Sequence, residues 1–323
     1  MSIRFGVVGT NNITDWVIAG GRQDERFELT AVCSRTQERA DEFAAKHGIP
    51  HTFTSLEEMA SGDVIDAVYI ATPNCCHAEQ AILCMNHGKH VLCETPMVLK
   101  GEEAKELFAL AEENGVILME ANKTAHCPAF NHLMVMIKSG VIGDVVDIEA
   151  SLSKLWNDQK SLREFNPEQA GGSLYELGSY PLLPIIRLLG CQYENLNIYS
   201  RMKDGVDMYT KGVMRYPHAV CSFKVGLGVK TEGNLVISGT KGYAYVPAPW
   251  WKTDYFELRY EDQNKNQKFF YKWDGAGLRY EIQEFISCIL NKRFSTSRLR
   301  RRESVCMAEV MEQFTNRKNF FEI

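Results

Sequence analysis

The segment at the start of the chain constrains the fold most. Residues 3–8 read IRFGVV, a short apolar run typical of a buried strand, and they lead directly into the turn GTNNI at residues 9–13. A strand that ends in a glycine turn and continues as a helix opens a dinucleotide-binding domain, because glycine lets backbone N–H groups approach a pyrophosphate. The G-x-G-x-x-G pattern is partly met: Gly9 is present, whereas Asn11 and Thr14 replace the later glycines. We expect Asn11 to preserve the turn, because asparagine tolerates positive φ.

The next hundred residues repeat this alternation of strand and helix. Predicted strands cover residues 3–8, 29–33, 65–70, 90–93 and 116–119, and predicted helices cover residues 38–47, 77–87 and 101–114. The strands are nearly continuous in apolar residues, as expected when helices cover both faces of a parallel sheet. The sequence therefore predicts an α/β fold that begins with a doubly wound, NAD(P)-binding Rossmann domain over residues 1–122.

After Asn122 the pattern changes to period-two alternation. A predicted helix at residues 128–139 precedes strands near residues 146–152, 196–200, 219–227, 235–238 and 256–260, and two helices with apolar stripes close the chain. One-sided alternation indicates a large open, mostly antiparallel sheet in a C-terminal α+β domain over residues 123–323, which we expect to carry substrate binding and oligomerisation. We expect the open face of this sheet to join copies of the chain into a homodimer or homotetramer.

Charge and composition exclude several classes of partner. The chain has 323 residues, a formal net charge of −5 and 45% hydrophobic residues. This balance argues against general binding to nucleic acid or to an anionic membrane. The start of the chain lacks the pattern of a signal peptide, so we expect a cytoplasmic protein whose ten cysteines are reduced. No zinc-type spacing of cysteine and histidine is present, and we predict no metal site.

The end of the second predicted strand bears on cofactor choice. NAD-binding sites usually place an acidic residue there for the ribose hydroxyls, whereas an arginine accommodates a 2′-phosphate. This chain has Ser34 and Arg35 at that point and no acid. NADP(H) is therefore favoured over NAD(H). The alternative is that Arg35 is only an exposed charge leading into a helix.

A series of motifs in fixed order then resembles one known family. After Gly9 and Arg35 come Ala-Thr-Pro-Asn with His77, Glu-x-Pro at Glu94, Met-Glu-Ala at residues 119–121, and GGSLYELGSY at residues 171–180. Together they resemble the Gfo/Idh/MocA family of NAD(P)-dependent oxidoreductases, in its dihydrodiol-dehydrogenase-like branch, over essentially the whole chain. The resemblance implies a substrate cleft between a Rossmann domain and a C-terminal open-sheet domain. It also implies cofactor contacts from Gly9, Thr10, Asn11, Asn12, Ile13, Ser34, Arg35, Ala71, Thr72, Pro73, Asn74, His77, Glu94 and Asn122.

The activity that this resemblance implies is hydride transfer between nicotinamide and a sugar, cyclic polyol or related secondary alcohol or carbonyl. The small-molecule substrate is therefore expected to be carbohydrate-like. The resemblance implies Tyr180 as the acid/base, and Glu176 stands where the branch usually has aspartate. A core tyrosine and a structural carboxylate remain the alternatives for these two residues. Candidates for substrate selection are Trp156, Arg163 and Trp250.

One departure from the family affects the chemistry directly. The family's Glu-Lys-Pro is Glu94-Thr95-Pro96 here, and a threonine hydroxyl brings no positive charge to stabilise an alkoxide. Lys123, beside Glu120, is the candidate for the missing cation, with an exposed interdomain lysine as the alternative. The expected catalytic set is therefore Tyr180, Glu176, Lys123 and Thr95.

Two other functions stay open at this point. The loss of the lysine and of two glycines would suit a protein that binds the cofactor but has lost redox activity, acting as a sensor or partner subunit. A lyase, epimerase or glycosidase that uses NAD(P) only transiently would also suit the motifs, because oxidation acidifies the neighbouring C–H bond. Net production of NAD(P)H distinguishes a dehydrogenase from both.

Overall fold

The computed structural model describes residues 1–156, 162–273 and 275–323. The described residues divide into two compact units. The first comprises those of Met1–Val98, Glu102–Lys123 and Asp274–Arg301, and the second those of Leu99–Gly101, Thr124–Trp273 and Arg302–Ile323. A single boundary after Asn122 remains a prediction. The two units are not contiguous in sequence, because Leu99–Gly101 groups with the second unit and a segment near the chain end groups with the first.

The regular elements alternate along the chain as follows. The strands are β1 (Ile3–Val8), β2 (Phe27–Cys33), β3 (His51–Phe53), β4 (Ala67–Ile70), β5 (His90–Glu94), β6 (Leu118–Ala121), β7 (Val145–Ser153), β8 (Asn195–Lys203), β9 (Val206–Arg215), β10 (Val220–Gly226), β11 (Leu235–Gly239), β12 (Tyr243–Val246), β13 (Tyr255–Arg259), β14 (Gln267–Phe270) and β15 (Phe320–Glu322). The helices are α1 (Asn12–Gly21), α2 (Gln37–His47), α3 (Leu56–Ser61), α4 (His77–Asn86), α5 (Gly101–Glu113), α6 (Lys123–His126), α7 (Pro128–Lys138), α8 (Ser173–Leu177), α9 (Ser179–Leu189), α10 (Arg279–Leu290) and α11 (Arg301–Thr315).

A parallel sheet organises the first unit. In the described residues it has six strands in the order β3-β2-β1-β4-β5-β6, and every neighbouring pair is parallel. The predicted doubly wound Rossmann domain is confirmed. The carboxyl ends of these strands meet at one edge of the sheet, where open α/β sheets bind ligands. Strand β3 was not predicted, because its three residues, His-Thr-Phe, form no apolar run.

Helix α10 completes the core of the first unit. Its apolar stripe, predicted from the spacing of Leu278, Ile282 and Phe285, is buried in the same cluster as Phe5. The rings of Phe5 and Phe285 meet edge-on with centroids 6.0 Å apart. A Cβ on Gly20 of α1 would lie 2.8 Å from the backbone nitrogen of the first residue of α10, so the two helices are in close contact.

A larger sheet organises the second unit. Its described strands number nine, in the order β14-β13-β12-β11-β7-β10-β9-β8-β15. The pairs β7–β10 and β8–β15 are parallel, and the other neighbouring pairs are antiparallel. The predicted large, mostly antiparallel sheet is confirmed. Asp204 and Gly205, with φ of 50° and 85°, form the tight turn between β8 and β9.

The predicted one-sided alternation holds along most of this sheet. In β10, Cys221, Phe223 and Val225 are fully buried. In β7, the predicted residues Ile148, Ala150 and Leu152 are buried, but Ser151 and Ser153 are buried as well, so alternation is lost at the end of the strand. Val146 near the strand start is 42% exposed and does not belong to the buried row. No helix in the described part of the chain is long and apolar enough to cross a membrane.

Candidate active-site residues

The first turn of the parallel sheet depends on Gly9. This residue has a φ of 100°, and a Cβ built on it would lie 2.5 Å from the carbonyl oxygen of Ala71. Its N–H donates to the carbonyl of Cys33, at 3.1 Å, so Gly9 touches the ends of both neighbouring strands. A side chain at this point meets backbone that cannot move aside. The backbone therefore comes close enough to the sheet edge for a ligand to approach it.

Asn11 stabilises the turn differently from the expectation. Its φ is −106°, so the prediction of positive φ at Asn11 is wrong, and Gly9 takes that conformation instead. The Asn11 side chain caps α1: its Oδ1 accepts from the N–H of Ile13 at 3.1 Å and of Thr14 at 3.2 Å, and its Nδ2 donates to the Ala71 carbonyl at 2.7 Å. Side-chain hydrogen bonds thus replace the missing glycine.

Thr14 stabilises the same turn, although the glycine pattern alone assigns it no role. Its hydroxyl donates to the Gly9 carbonyl at 2.9 Å, and the residue is fully buried. This bond ties the first turn of α1 back to the end of β1. The remaining turn residues, Thr10 and Asn12, are half-buried and exposed respectively.

The end of β2 carries the two residues predicted to select the cofactor. Ser34 is buried, and its N–H donates to the carbonyl of Phe53 at 3.0 Å. Arg35 is exposed. Burial raises the pKa of the Cys76 thiol to about 11, and the Arg35 guanidinium acts in the opposite direction. Arg35 therefore lies near the short turn Asn74–Cys76 that follows β4.

His77 joins the loops that follow β4 and β5. It is 1% exposed; its Nε2 lies 2.9 Å from the carbonyl oxygen of Thr72, and its Nδ1 lies 2.8 Å from that of Pro96. A carbonyl oxygen only accepts, so both contacts are hydrogen bonds when the ring carries two protons. Both ring nitrogens are occupied by backbone, which argues for a positioning role rather than acid/base work.

We therefore expect His77→Leu to lower the free energy of unfolding by about 1–3 kcal/mol, because it removes the buried ring that contacts the carbonyl groups of Thr72 and Pro96. Urea unfolding followed by circular dichroism measures the change. His87→Leu is the matched control, since His87 follows the same helix but its side chain is 31% exposed and pairs with Glu57. Equal losses in the two variants would contradict the proposed role of His77 in joining the loops that follow β4 and β5.

Thr95 bonds to a carboxylate on the neighbouring strand. Its hydroxyl donates to Oε1 of Glu120 at 2.8 Å, and the Met97 N–H reaches the same oxygen at 3.3 Å. Glu94, the preceding residue, accepts a hydrogen bond from the Tyr69 hydroxyl. The Thr95 side chain thus connects the ends of β5 and β6. The hydroxyl proton of Thr95 is therefore engaged in the hydrogen bond to Glu120.

The end of β6 places a lysine at the same sheet edge. Asn122 is fully buried, and its N–H donates to the Glu120 carbonyl at 3.0 Å. Lys123 follows at the start of α6 and is 8% exposed, which contradicts the alternative of an exposed lysine. Burial raises the pKa of Glu281 well above its ordinary range; Glu94 raises it further and Lys123 lowers it. Nothing in the sequence pattern singles out Glu281.

The predicted residues of the second unit lie on two consecutive helices. Glu176, on α8, forms a two-pronged ion pair with Arg163, with distances of 3.0 and 3.2 Å between guanidinium nitrogens and carboxylate oxygens. This pair supports the structural alternative for Glu176. Tyr180 is the second residue of α9 and is half-buried.

A buried aspartate anchors the start of α8. Asp207 Oδ2 accepts from the Ser173 hydroxyl at 2.6 Å, from the Leu174 N–H at 2.9 Å and from the Thr210 hydroxyl at 2.5 Å. Burial raises the pKa of Asp207 to about 6, against the opposing effect of these bonds. Gly172, with a φ of 115°, has no room for a Cβ beside Asp207. This anchor holds the glycine motif that leads to Tyr180.

The two tryptophans proposed for substrate selection have different environments. Trp250 is fully buried and donates from Nε1 to the Ser151 carbonyl at 2.9 Å, so it belongs to the core and the prediction for it is wrong. Trp156 is half-buried and packs against Lys154, whose ammonium lies 4.8 Å from the ring centroid. In the described residues, no group of three or more metal-binding side chains could hold an ion.

Sequence comparisons match both parts of the chain. Residues 3–122 match a family described as an oxidoreductase family with an NAD-binding Rossmann fold, and residues 130–245 match a GFO/IDH/MocA C-terminal domain. The scyllo-inositol 2-dehydrogenase (NADP(+)) of Bacillus subtilis is 35% identical over 316 residues, covering 96% of this chain and 95% of the relative. The trans-1,2-dihydrobenzene-1,2-diol dehydrogenase of Bos taurus is 31% identical over 325 residues, with 97% and 96% coverage.

Solved structures share the fold at lower identity. A 3-ketoreductase from Actinomadura kijaniata, in complex with NADP and TDP-benzene, superposes with a TM-score of 0.87 at 22% identity, covering 100% of this chain and 99% of the other. A levoglucosan dehydrogenase in complex with NADH and levoglucosan gives 0.86 at 19% identity, with 98% and 97% coverage. At this identity the likeness shows the fold alone.

Proposed function

The chain belongs to the Gfo/Idh/MocA family of oxidoreductases, and from this membership we propose that it transfers a hydride between a nicotinamide dinucleotide and a sugar, a cyclic polyol or a related secondary alcohol or carbonyl. The observation that carries the proposal is the carboxyl edge of the parallel sheet. There the Gly9 turn, the loop after β4 and the end of β6 present their backbone and polar groups together. The named activities of the two relatives support the substrate class.

The residues at this edge fit a dinucleotide. A Cβ at Gly9 would lie 2.5 Å from the Ala71 carbonyl oxygen, so only glycine leaves this turn the bare backbone that a pyrophosphate approaches. We propose that the N–H groups of Thr10 and Asn12 face the pyrophosphate. The N–H of Ile13 already bonds to Asn11, so Ile13 would contribute its side chain, which packs on the core of the first unit. The other proposed contacts are Ala71, Thr72, Pro73, Asn74, His77, Glu94 and Asn122.

The bound dinucleotide would supply the site that accepts or returns the hydride. In the second unit, Tyr180 is proposed to exchange the hydroxyl proton of the substrate, and Glu176 supports the local structure through Arg163. In the first unit, Lys123 is proposed to bring the positive charge that Thr95 does not carry. Thr95 itself holds Glu120 and so supports the ends of β5 and β6.

We further propose a preference for NADP(H), supported by Arg35 and by the absence of an acid at this strand end. Arg35→Ala should raise the KM for NADPH about 10- to 100-fold, the loss expected when charge-assisted bonds to a phosphate disappear. The KM for NADH should change less than about threefold on the same grounds. Arg39→Ala, an exposed arginine on α2, serves as the control. Equal effects on the two cofactors would contradict the preference.

The proposed reaction is tested by turnover of a panel of inositols, pyranoses and cyclic diols with NADP⁺, and of the matching ketones with NADPH. Net formation or loss of NADPH in proportion to product supports the proposal. Product formation without a net change in NADPH would favour a lyase, epimerase or glycosidase. Tight cofactor binding with no product from any member would favour a sensor or partner subunit.

Self-association through the larger sheet is also proposed. Val220 and Phe270, on strands of that sheet, are 50% and 74% exposed. Light scattering should show a homodimer or homotetramer, and Phe270→Lys should weaken this association. A monomer at all concentrations would contradict the proposal.

A cytoplasmic location is proposed on the ground that all ten cysteines, each within the described residues, are free thiols. Fractionation with a cytoplasmic marker tests it.

A further inference from the structure

Thr95 presents a side-chain oxygen at the carboxyl edge of the parallel sheet. It directly follows Glu94, the last residue of β5, and it is half-buried. Open α/β sheets bind their ligands at this edge. The hydrogen bonds that Thr95 already makes within the protein therefore decide which groups of a ligand it is able to pair with.

The hydroxyl proton of Thr95 is donated within the first unit. Its acceptor is Oε1 of Glu120, at 2.8 Å, and the Met97 N–H reaches the same oxygen at 3.3 Å. Because a backbone N–H only donates, this oxygen of Glu120 acts as an acceptor, and Thr95 is the donor in their hydrogen bond. Glu120 is 4% exposed, so solvent has little access to its carboxyl group.

The Thr95 oxygen keeps the capacity to accept. A hydroxyl has one proton to donate and two lone pairs that accept. Within the described residues, no group donates a hydrogen bond to this oxygen. Hydrogen bonds in a chain polarise one another, so donation to Glu120 makes the Thr95 oxygen a stronger acceptor. Towards a ligand, Thr95 therefore accepts and does not donate.

We propose that Thr95 determines substrate specificity by accepting a hydrogen bond from a hydroxyl next to the reacting one, and that Glu120 is its positioning residue. The identity of the ligand as a polyol rests on the proposed function. There the reacting hydroxyl exchanges its proton with Tyr180, so the donor to Thr95 is a second hydroxyl. A sugar or cyclic polyol carries such a neighbour, whereas a simple alcohol does not.

Three ligands that differ at one position test this polarity. Trans-cyclohexane-1,2-diol carries a neighbouring O–H donor, cyclohexanol carries no neighbouring group, and trans-2-methoxycyclohexanol carries a neighbouring oxygen that only accepts. Their dissociation constants are measured by calorimetry with the NADPH-loaded protein, in which an alcohol cannot transfer a hydride. The wild type should bind the diol about 3- to 10-fold more tightly than either of the others, the contribution of one neutral hydrogen bond.

Variants of Thr95 assign this preference to its oxygen. In Thr95→Val, which keeps the shape of the side chain, the preference for the diol over cyclohexanol should fall below about twofold, and Thr95→Ser should restore it. Thr30→Val is the matched control, because it removes a hydroxyl that bonds to the Val64 carbonyl at 2.6 Å within β2, and it should keep the wild-type preference. Equal preferences in wild type and Thr95→Val, tight binding of the methoxy compound, or no binding of the diol would overturn the proposal.

The role of Glu120 has its own pair of variants. Glu120→Gln keeps an oxygen that accepts from Thr95 and should retain the preference for the diol. Glu120→Met leaves the Thr95 hydroxyl without its acceptor and should lose the preference. An unchanged preference in Glu120→Met would overturn the positioning role, and if this variant does not fold, the comparison of Thr95→Val with Thr95→Ser still decides the role of Thr95.

Two further outcomes separate this proposal from its alternatives. The NADPH dissociation constant of Thr95→Val should stay within about twofold of the wild type. A rise equal to the loss for the diol would assign the donor to the nicotinamide carboxamide and overturn the proposal. A preference that Thr95→Val abolishes, in a protein that oxidises no alcohol, would refute only the proposed function, whereas turnover without this preference would overturn only the role of Thr95.

Discussion

Replacing Tyr180 by phenylalanine should lower kcat/KM by about 10²- to 10⁴-fold, the usual contribution of a positioned acid/base, while NADPH binding stays unchanged. The change removes only the hydroxyl and keeps the ring on the first turn of α9. Stopped-flow or steady-state turnover of the best substrate in the panel gives the rates, and fluorescence titration gives the cofactor affinity.

Tyr175→Phe is the matched control for this substitution. Tyr175 lies in the same motif, but its hydroxyl is 2.6 Å from that of Thr315, and burial raises its pKa. Loss of this contact should alter stability slightly and leave the rate near that of the wild type. Equal rates for wild type and Tyr180→Phe would remove Tyr180 from the mechanism, and equal losses in both tyrosine variants would assign the effect to packing.

The second large effect is expected at Gly9. Gly9→Ala should lower the free energy of unfolding by about 2–4 kcal/mol, because a φ of 100° is strained for alanine and the new Cβ meets the Ala71 carbonyl oxygen at 2.5 Å. The NADPH dissociation constant should rise at least about tenfold as the turn moves away from the pyrophosphate. Urea unfolding and fluorescence titration measure the two quantities.

Gly48→Ala separates the effect of backbone strain at positive φ from the effect of the close contact made by the new Cβ. Gly48 also has a positive φ, 65°, but a Cβ added to it would meet nothing within 4 Å. The free energy of unfolding of Gly48→Ala should fall only by the cost of a positive φ for alanine, about 1 kcal/mol. This variant should bind NADPH with the wild-type affinity. If Gly9→Ala lost no more than Gly48→Ala, close contact with the end of β4 would not be the constraint at Gly9.

Much of the fold followed from sequence periodicity alone. Continuous apolar runs marked the buried parallel strands, and period-two alternation marked β10, because these patterns record directly which faces lose contact with water. Strand β3 was missed since its pairing with β2 comes from tertiary context and its three residues carry no such pattern. The stripe on α10 predicted burial, but periodicity does not say which surface covers a helix.

For the candidate site residues, too, the sequence predicted position along the chain but not the contacts made in the folded protein. Strand ends located Gly9, the loop after β4 and Lys123, because the carboxyl ends of parallel strands share an edge. The contacts of their side chains were beyond sequence reasoning: Asn11 caps a helix instead of taking a positive φ, and Thr95 bonds to Glu120. Glu281 left no signal, because a single glutamate on an amphipathic helix is indistinguishable from a solvated one until the packing is known.

Because α10 belongs to the first unit, this unit is encoded by separate stretches of the sequence. The family match within this unit ends at residue 122, more than 150 residues before α10 begins at Arg279. A contiguous gene segment for residues 1–122 would encode the parallel sheet but not the helix that covers Phe5, nor Glu281. The first unit is therefore not encoded by one contiguous segment of the chain. An exchange of the second half of the chain would therefore also replace α10, a helix of the first unit.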